Sequence, residues 1–265
     1  MKIDITVFVK QVVDPDAPIS SFHIDPTSKQ LSIKPDTPFI INGFDETAVE
    51  AALRLKDSVG ANITVVSLGY NFVMDVIKKP LSMGADNLIL LQDAAFQNLD
   101  SFTTAKILSK AVSTIGNTDL FICGRQASDW DNAQVPLVLS ELLGLPCLTI
   151  AKNIRIDNNT VEIEKVLPEG HEVIQAKLPA IVTVSNELGE PRYATLRGIM
   201  SAGRKTPSIY TAKDLNIDTA DLSPKLIIEE ISVPDSDKKC EMISGDNNIE
   251  IGRKLALKLR ESRIF

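Results

Sequence analysis

Residues 118–136 read TDLFICGRQASDWDNAQVP. The apolar run Leu120-Phe121-Ile122-Cys123 has the length of a buried strand, and Gly124 cuts it off. A polar loop follows, and a helical pattern opens around Asn132 and Ala133. A strand, a glycine, a short polar loop and a helix start form the arrangement with which α/β proteins hold phosphate. The first helical N–H groups lack intrahelical acceptors and lie at the positive end of the macrodipole. Neither GxGxxG nor a P-loop is present, because the glycines and the lysine they require are missing. On these residues alone two readings stand: a nucleotide cradle, or a connecting loop with a capped helix.

Working outward, the pattern repeats. Residues 3–9, IDITVFV, are apolar and β-branched, as a buried strand requires. Residues 23–33 carry a turn at Asp25-Pro26-Thr27-Ser28 between extended pieces, which predicts a small hairpin. Asp45 is placed to cap a helix, ETAVEAALRLKD, whose Val49, Ala52, Leu53 and Leu55 recur at helical spacing until Gly60. Residues 62–68 read as a strand ending at Gly69, residues 73–83 as a helix stopped by Gly84, and residues 87–91 as a strand. Ser101–Ile115 and Val135–Leu143 are further helices, the latter ended by Gly144-Leu145-Pro146. This alternation predicts an α/β fold, a mostly parallel twisted sheet with helices on both faces.

After Pro146 the extended runs CLTIAKNIRID, TVEIEKVLP, HEVIQAKLP and AIVTVS follow one another with little but turns between them. They predict an antiparallel extension of the sheet, its first hairpin turning at Asp157-Asn158-Asn159. A short helix is expected near residues 196–202. Residues 206–244 mix Pro, Ser and Asp with short apolar runs and read as a linker or arm. A last amphipathic helix, residues 248–262, carries Ile251, Leu255, Ala256 and Leu259 on one face, suited to packing on a partner.

Composition excludes several classes of function. A net charge of −7 over 265 residues argues against nucleic acid as a general partner. No apolar run approaches the roughly 20 residues of a membrane-spanning helix. Met1-Lys2-Ile3-Asp4 leads directly into a strand, so no secretory leader is expected. His23 and His171 are the only histidines, which leaves zinc hydrolysis or a Ser–His–Asp triad almost nothing to use. Cys123, Cys147 and Cys240 are scattered without metal-ligand spacing, and a reducing, cytoplasmic compartment is the expectation.

Two segments carry the reading further. One is residues 124–135, GRQASDWDNAQV; the other is Leu178-Pro179-Ala180-Ile181-Val182-Thr183 followed by Gly189-Glu190-Pro191-Arg192-Tyr193-Ala194-Thr195-Leu196. Together they resemble the beta subunit of electron-transferring flavoproteins. Val9-Lys10-Gln11-Val12, the segment from Asn42 to Asp45, the run EAALRLK from Glu50 and Met83-Gly84-Ala85-Asp86 also fit, so the resemblance spans nearly the whole chain. It implies an adenine-nucleotide-hydrolase-like fold and an obligate heterodimer with an alpha subunit carrying a redox-active FAD. It also implies a second nucleotide in the beta subunit: structural AMP in ordinary members, or FAD that takes hydride from NADH in electron-bifurcating members.

Carried over by position, the resemblance assigns Phe8 and Lys10 to the adenosine side of the site. Asn42, Gly43, Phe44 and Asp45 form a second wall, and Leu68 with Gly69 a third. Gly124, Arg125, Gln126, Ala127, Ser128, Asp129, Trp130, Asp131, Asn132, Ala133, Gln134 and Val135 form the phosphate cradle. Gly124 would let the backbone approach the ligand. Asp129 and Asp131, which repel phosphate, would cap the helix, accept from ribose or orient Arg125. Lys10 and Arg125 are candidates to neutralise a diphosphate. No side-chain acid or base is expected, because the flavin carries the chemistry.

The triplet Ala133-Gln134-Val135 with Pro136, and Asp45, side with the bifurcating pattern, which favours FAD over AMP in this site. Trp130 stands where that pattern has glycine, Asn132 where it has threonine, and Gly43 where proline is common. Trp130 either closes space that a ligand needs, turns outward or stacks on a partner. The function expected is NADH-dependent bifurcation between a partner flavin dehydrogenase and ferredoxin; the alternative is a non-bifurcating carrier with AMP. A non-redox nucleotide-binding module of the universal-stress type leaves residues 178–205 and the arm unexplained. Residues 186–205 match the family's recognition loop, with Glu190, Arg192, Tyr193, Leu196 and Arg197 as docking residues, Leu196 as the exposed anchor and Arg204 and Lys205 completing a basic rim. Arg197-Gly198 stands where Pro-Asn is common, and residues 15–22 are longer than usual. The expected domains are residues 1–205, the nucleotide-binding domain, and residues 206–265, a linker and arm contacting the alpha subunit.

Overall fold

The computed structural model describes residues 3–25, 27, 29–233 and 240–264. Strand β1 (Ile3–Phe8) is followed by the short β2 (Gln11–Val13), β3 (Phe22–Asp25), β4 (Gln30–Ile33) and β5 (Phe39–Ile41). Then come helix α1 (Gly43–Val59), β6 (Ala61–Gly69), α2 (Met74–Ile77), α3 (Lys79–Met83), β7 (Asn87–Gln92), α4 (Ser101–Ile115), β8 (Leu120–Gly124) and α5 (Val135–Leu143). The second half holds β9 (Cys147–Asp157), β10 (Thr160–Leu167), β11 (Gly170–Lys177), β12 (Ala180–Val184), α6 (Leu196–Arg204), β13 (Ser208–Tyr210) and α7 (Asn248–Glu261).

One nine-stranded sheet runs in the order β11-β10-β9-β12-β8-β1-β6-β7-β13. β1 lies parallel to both β6 and β8, and β12 parallel to β8 and β9. β9, β10 and β11 form the antiparallel extension. Alternation along β1 shows why helices cover both faces: Ile5 and Val7 point into one core with Val49 and Leu53 of α1, while Phe8 points into the other with Ile107 of α4 and Leu139 of α5. β3 and β4 pair as the expected hairpin; Pro26 and Ser28 of its turn, like Met1 and Lys2, lie outside the described residues.

Three differences from the sequence reading have physical causes. The helix read at residues 73–83 is two short helices, because Pro80 has no N–H to continue the ladder and the chain breaks at Lys78. The region read as a linker begins with structure: β13 pairs with β7, and Ala212, Leu215 and Leu222 are buried beyond it. α1 starts at Gly43, so Asp45 lies inside its first turn and Asn42 takes the N-cap position. The terminal helix α7 forms as expected, with no residue buried.

Candidate functional site

The chain leaves β1 toward β6 and β7 on one side, then returns to β8 on the other. The carboxyl ends of β1 and β8 therefore diverge at a topological switch point, where open α/β sheets hold ligands. Lys10 follows β1, the loop from Arg125 to Gln134 follows β8, and the start of α1 leans over both.

Asn42 ties these pieces together. It is fully buried, its N–H donates to the Lys10 carbonyl at 2.9 Å, and its Nδ2 donates to the Gln126 carbonyl at 2.8 Å. Its Oδ1 accepts from the Ser128 N–H at 3.2 Å. A residue type suited to capping its own helix is thus diverted to hold the cradle loop, and α1 has no side-chain cap.

Asp45 is the second tie. Its carboxylate accepts from the Lys10 N–H at 2.8 Å and is buried beside Gly124. Burial pushes the carboxyl up to about 7, against the opposing pull of hydrogen bonds from Asn42, Lys10 and Gly124 and of the Lys10 charge. The folded state therefore holds a proton that the unfolded chain, titrating near 3.8, has already released. Stability from this group is full at low pH and is lost as pH rises toward 7. Between pH 5 and pH 8 the protein should lose on the order of 2 kcal/mol that Asp45→Asn does not lose, measured as the pH dependence of Tm. Parallel profiles for the two proteins would refute this.

The glycine that ends β8 serves the protein before any ligand. A Cβ on Gly124 would strike Asp45 Oδ1 and lie 2.8 Å from the Phe44 carbonyl carbon and Cβ, so its space is taken by α1. The expected helix-capping role of the two loop aspartates is not seen. Asp129 pairs with Lys10 Nζ at 2.6 Å, Asp131 accepts from Gln126 Nε2 at 2.8 Å, and α5 has Gln134 at its N-cap with no side-chain bond. The helix opens at Val135, later than Asn132. Asn132 Nδ2 reaches Ser101 Oγ at 3.3 Å. Asp131 and Ala133 hold positive φ, 50° and 52°, so the loop turns sharply here, and the Asp131 N–H is taken by the Ala127 carbonyl at 2.8 Å. Arg125 is exposed, the Ala127 carbonyl accepts from the N–H groups of Trp130 and Asp131, and Trp130 is 59% exposed.

The remaining walls are mixed. The Phe8 ring stacks on Phe121 at 6.0 Å inside the core, so only its backbone faces the strand end. Leu68 is half-buried, Gly69 lies against the Phe72 ring, and Ser67 Oγ before them is buried without a hydrogen-bond partner. Gly43 is exposed and Phe44 half-buried at the α1 start.

The sequence profile described as "Electron transfer flavoprotein domain" matches residues 30–215. The chain belongs to the electron transfer flavoprotein family. An electron transfer flavoprotein subunit beta from Thermoanaerobacterium thermosaccharolyticum is 36% identical over 249 residues, covering 92% of this chain and 93% of that one. One from Clostridium acetobutylicum is 36% identical over 223 residues, covering 84% of each. The caffeyl-CoA reductase-Etf complex subunit CarD from Acetobacterium woodii is 32% identical over 266 residues, covering 98% of this chain and 99% of that one. Within the family the chain is a beta subunit, a protein of electron transfer.

In this electron transfer flavoprotein beta subunit, the segment before and through α6 is held firmly and still exposes apolar side chains. Tyr193 is 97% and Leu196 82% exposed, with Ile199 and Met200 beside them on α6. Two members of the expected basic rim are occupied elsewhere. Arg192 is bonded to Glu50 and Asp57 of α1, and Lys205 Nζ donates to the carbonyls of Ala85 and Asp86. Arg197 and Arg204 remain exposed, as does Glu190. Glu50, Arg54 and Asp57 entered the sequence reading only within the helix and family runs, with no functional role assigned to them. The i, i+4 spacing of Glu50 and Arg54 signals a helix pair, whereas Arg192 lies 142 positions away and signals nothing. Among the described residues no helix is long and apolar enough to cross a membrane, and no cluster of His, Cys, Asp or Glu is placed to hold a metal.

Proposed function

We propose that the crevice at the ends of β1 and β8 binds FAD, and that this beta subunit takes part in NADH-dependent electron bifurcation. The observation that carries the reading is the loop between β8 and α5 at the topological switch point. That loop runs into the α5 N-terminus, which is suited to phosphate, while the bulky Trp130 stands 59% exposed on it. The residues present fit a dinucleotide: Arg125 and the amides at the α5 start for phosphate, with the strand ends at Phe8, Leu68 and Gly69 as walls of the adenosine side. The Ala133-Gln134-Val135-Pro136 run and Asp45 support FAD over AMP, and the caffeyl-CoA reductase-Etf relative, alike over almost the full chain, supports a bifurcating setting.

When bound there, FAD supplies two-electron uptake from NADH and one-electron release along two routes, to the alpha-subunit FAD and a partner flavin dehydrogenase, and to ferredoxin. The protein's own part is to hold and orient. Asn42 and Asp45 fix the loop ends, and the Lys10–Asp129 pair ties the end of β1 to the loop after β8. Residues 190–197 present Leu196 to the dehydrogenase. The alpha subunit covers the arm and α7, where Leu226, Ile227, Val233, Met242 and Ile249 are all more than half exposed. The cytoplasm is the proposed site of action.

Nucleotide released from the purified heterodimer with its alpha subunit should amount to two FAD and no AMP. One FAD with one AMP would leave an ordinary carrier and overturn the bifurcating reading.

A further inference from the structure

The docking segment is bolted to the helix that begins in the nucleotide cradle. The Glu50 side chain of α1 is only 6% exposed, and four donors converge on its two oxygens. Arg54 Nε donates to Oε1 at 2.9 Å, Arg192 Nε to Oε2 at 2.7 Å, Arg192 Nη2 to Oε1 at 3.2 Å and the Arg192 N–H to Oε2 at 3.1 Å. Arg192 Nη2 also meets Asp57 Oδ2 at 2.9 Å, about two turns beyond Glu50 along α1. Arg54 Nη1 donates to the Leu188 carbonyl at 2.8 Å, so the chain is held just before the docking residues as well. Burial alone would raise the Glu50 carboxyl, but hydrogen bonds from Arg192 and then Arg54 bring it below its ordinary value. The clamp thus stays charged at neutral pH.

The far side of the segment is fixed too. Gly198 lies so close to α3 that a Cβ there would strike the Ser82 carbonyl oxygen, Ala202 is buried, and Lys205 is anchored on Ala85 and Asp86. Between these two anchorages stand Tyr193 and Leu196, almost fully exposed. An apolar anchor held in its bound geometry before encounter spares the ordering cost that a loose loop would meet on binding.

We propose that Arg192 is a positioning residue for partner docking, its two-carboxylate clamp on α1 setting where Tyr193 and Leu196 are presented. Arg192 then acts from beneath the interface rather than as part of a charged rim. This rests on the docking reading above, and the two are separable by experiment.

The test uses the holo heterodimer and a flavin dehydrogenase chosen for turnover with the unmodified protein. Arg192→Ala should raise KM for the dehydrogenase about tenfold, with kcat changed far less and flavin content retained. Arg192→Lys should not restore it, since an ammonium cannot span both carboxylates. Asp57→Asn removes only the outer contact, on a residue 62% exposed, and should give a smaller rise in KM without threatening the fold. Leu196→Ala is the control for docking itself. If Leu196→Ala raises KM while Arg192→Ala and Asp57→Asn do not, the positioning role is wrong and docking stands. If Leu196→Ala leaves KM unchanged, docking fails and takes the proposal with it. Full rescue by Arg192→Lys would reduce Arg192 to a simple charge and also overturn it.

Discussion

Gly124→Ala should lower stability by about 2 kcal/mol and strip most of the nucleotide from the beta subunit. The cause is space, not backbone conformation. The added methyl would meet Asp45 Oδ1 and the Phe44 backbone, and neither is the loose end of a flexible side chain. Asp45 is buried and bonded to the Lys10 N–H, and Phe44 is fixed in the first turn of α1. The relief available is to lift the α1 start off β8. That movement carries Asn42 with it, and Asn42 holds the cradle loop at Gln126 and Ser128. Stability and binding therefore fall together. Gly69→Ala is the contrast: its methyl would lie 3.2 Å from the Phe72 ring, a side chain able to give, and the expected loss is below about 1 kcal/mol. Thermal unfolding and nucleotide retained through gel filtration measure both. Full nucleotide content and an unchanged Tm in Gly124→Ala would show that α1 is not locked to β8 in this way.

The same residue shows what was legible in the sequence. Strand, glycine, loop and helix could be read from residues 118–136 because apolar runs and breakers are local signals, and β8 and α5 lie where they were expected. The other central strands, α4 and the antiparallel extension were legible for the same reason. The purpose of the glycine was not, because the group filling its space arrives from α1, far away in the chain. Asp45 was expected to cap α1, yet neither it nor Asn42 at the N-cap position does so, for a similar reason. A cap signal is local, but a buried loop that needs donors and acceptors outbids the helix for the Asn42 side chain. The three-residue β13 is too short for any periodicity to reveal, and only pairing with β7 defines it. Family resemblance reached what local pattern could not, the beta-subunit identity, yet it placed Arg192 on a rim when the guanidinium is turned inward onto Glu50.

Glu50→Ala should cost about 3 kcal/mol, because it removes the shared acceptor of two arginines and a backbone N–H at once. Glu50→Gln is the sharper probe, since it keeps the volume and removes the charge. One amide arm must then point N–H groups at guanidinium donors, so a loss of roughly 2 kcal/mol is expected at pH 7. The pH dependence gives the cause away. The Glu50 carboxyl is held below its ordinary 4.5 in the folded protein, so its stabilisation is present above that value and is lost as pH falls through the lower folded value. The Tm difference between wild type and Glu50→Gln should accordingly be largest near neutrality and shrink on acidification. Asp45 behaves in the opposite sense, its burden growing as pH rises toward 7. Both carboxylates lie on α1, within two turns of each other. Their opposed slopes separate a carboxyl buried between the α1 start and the end of β8 from one clamped by arginines. A Glu50→Gln deficit that persists unchanged at pH 4 would mean that the loss comes from packing and that the charge of Glu50 does not hold the docking segment.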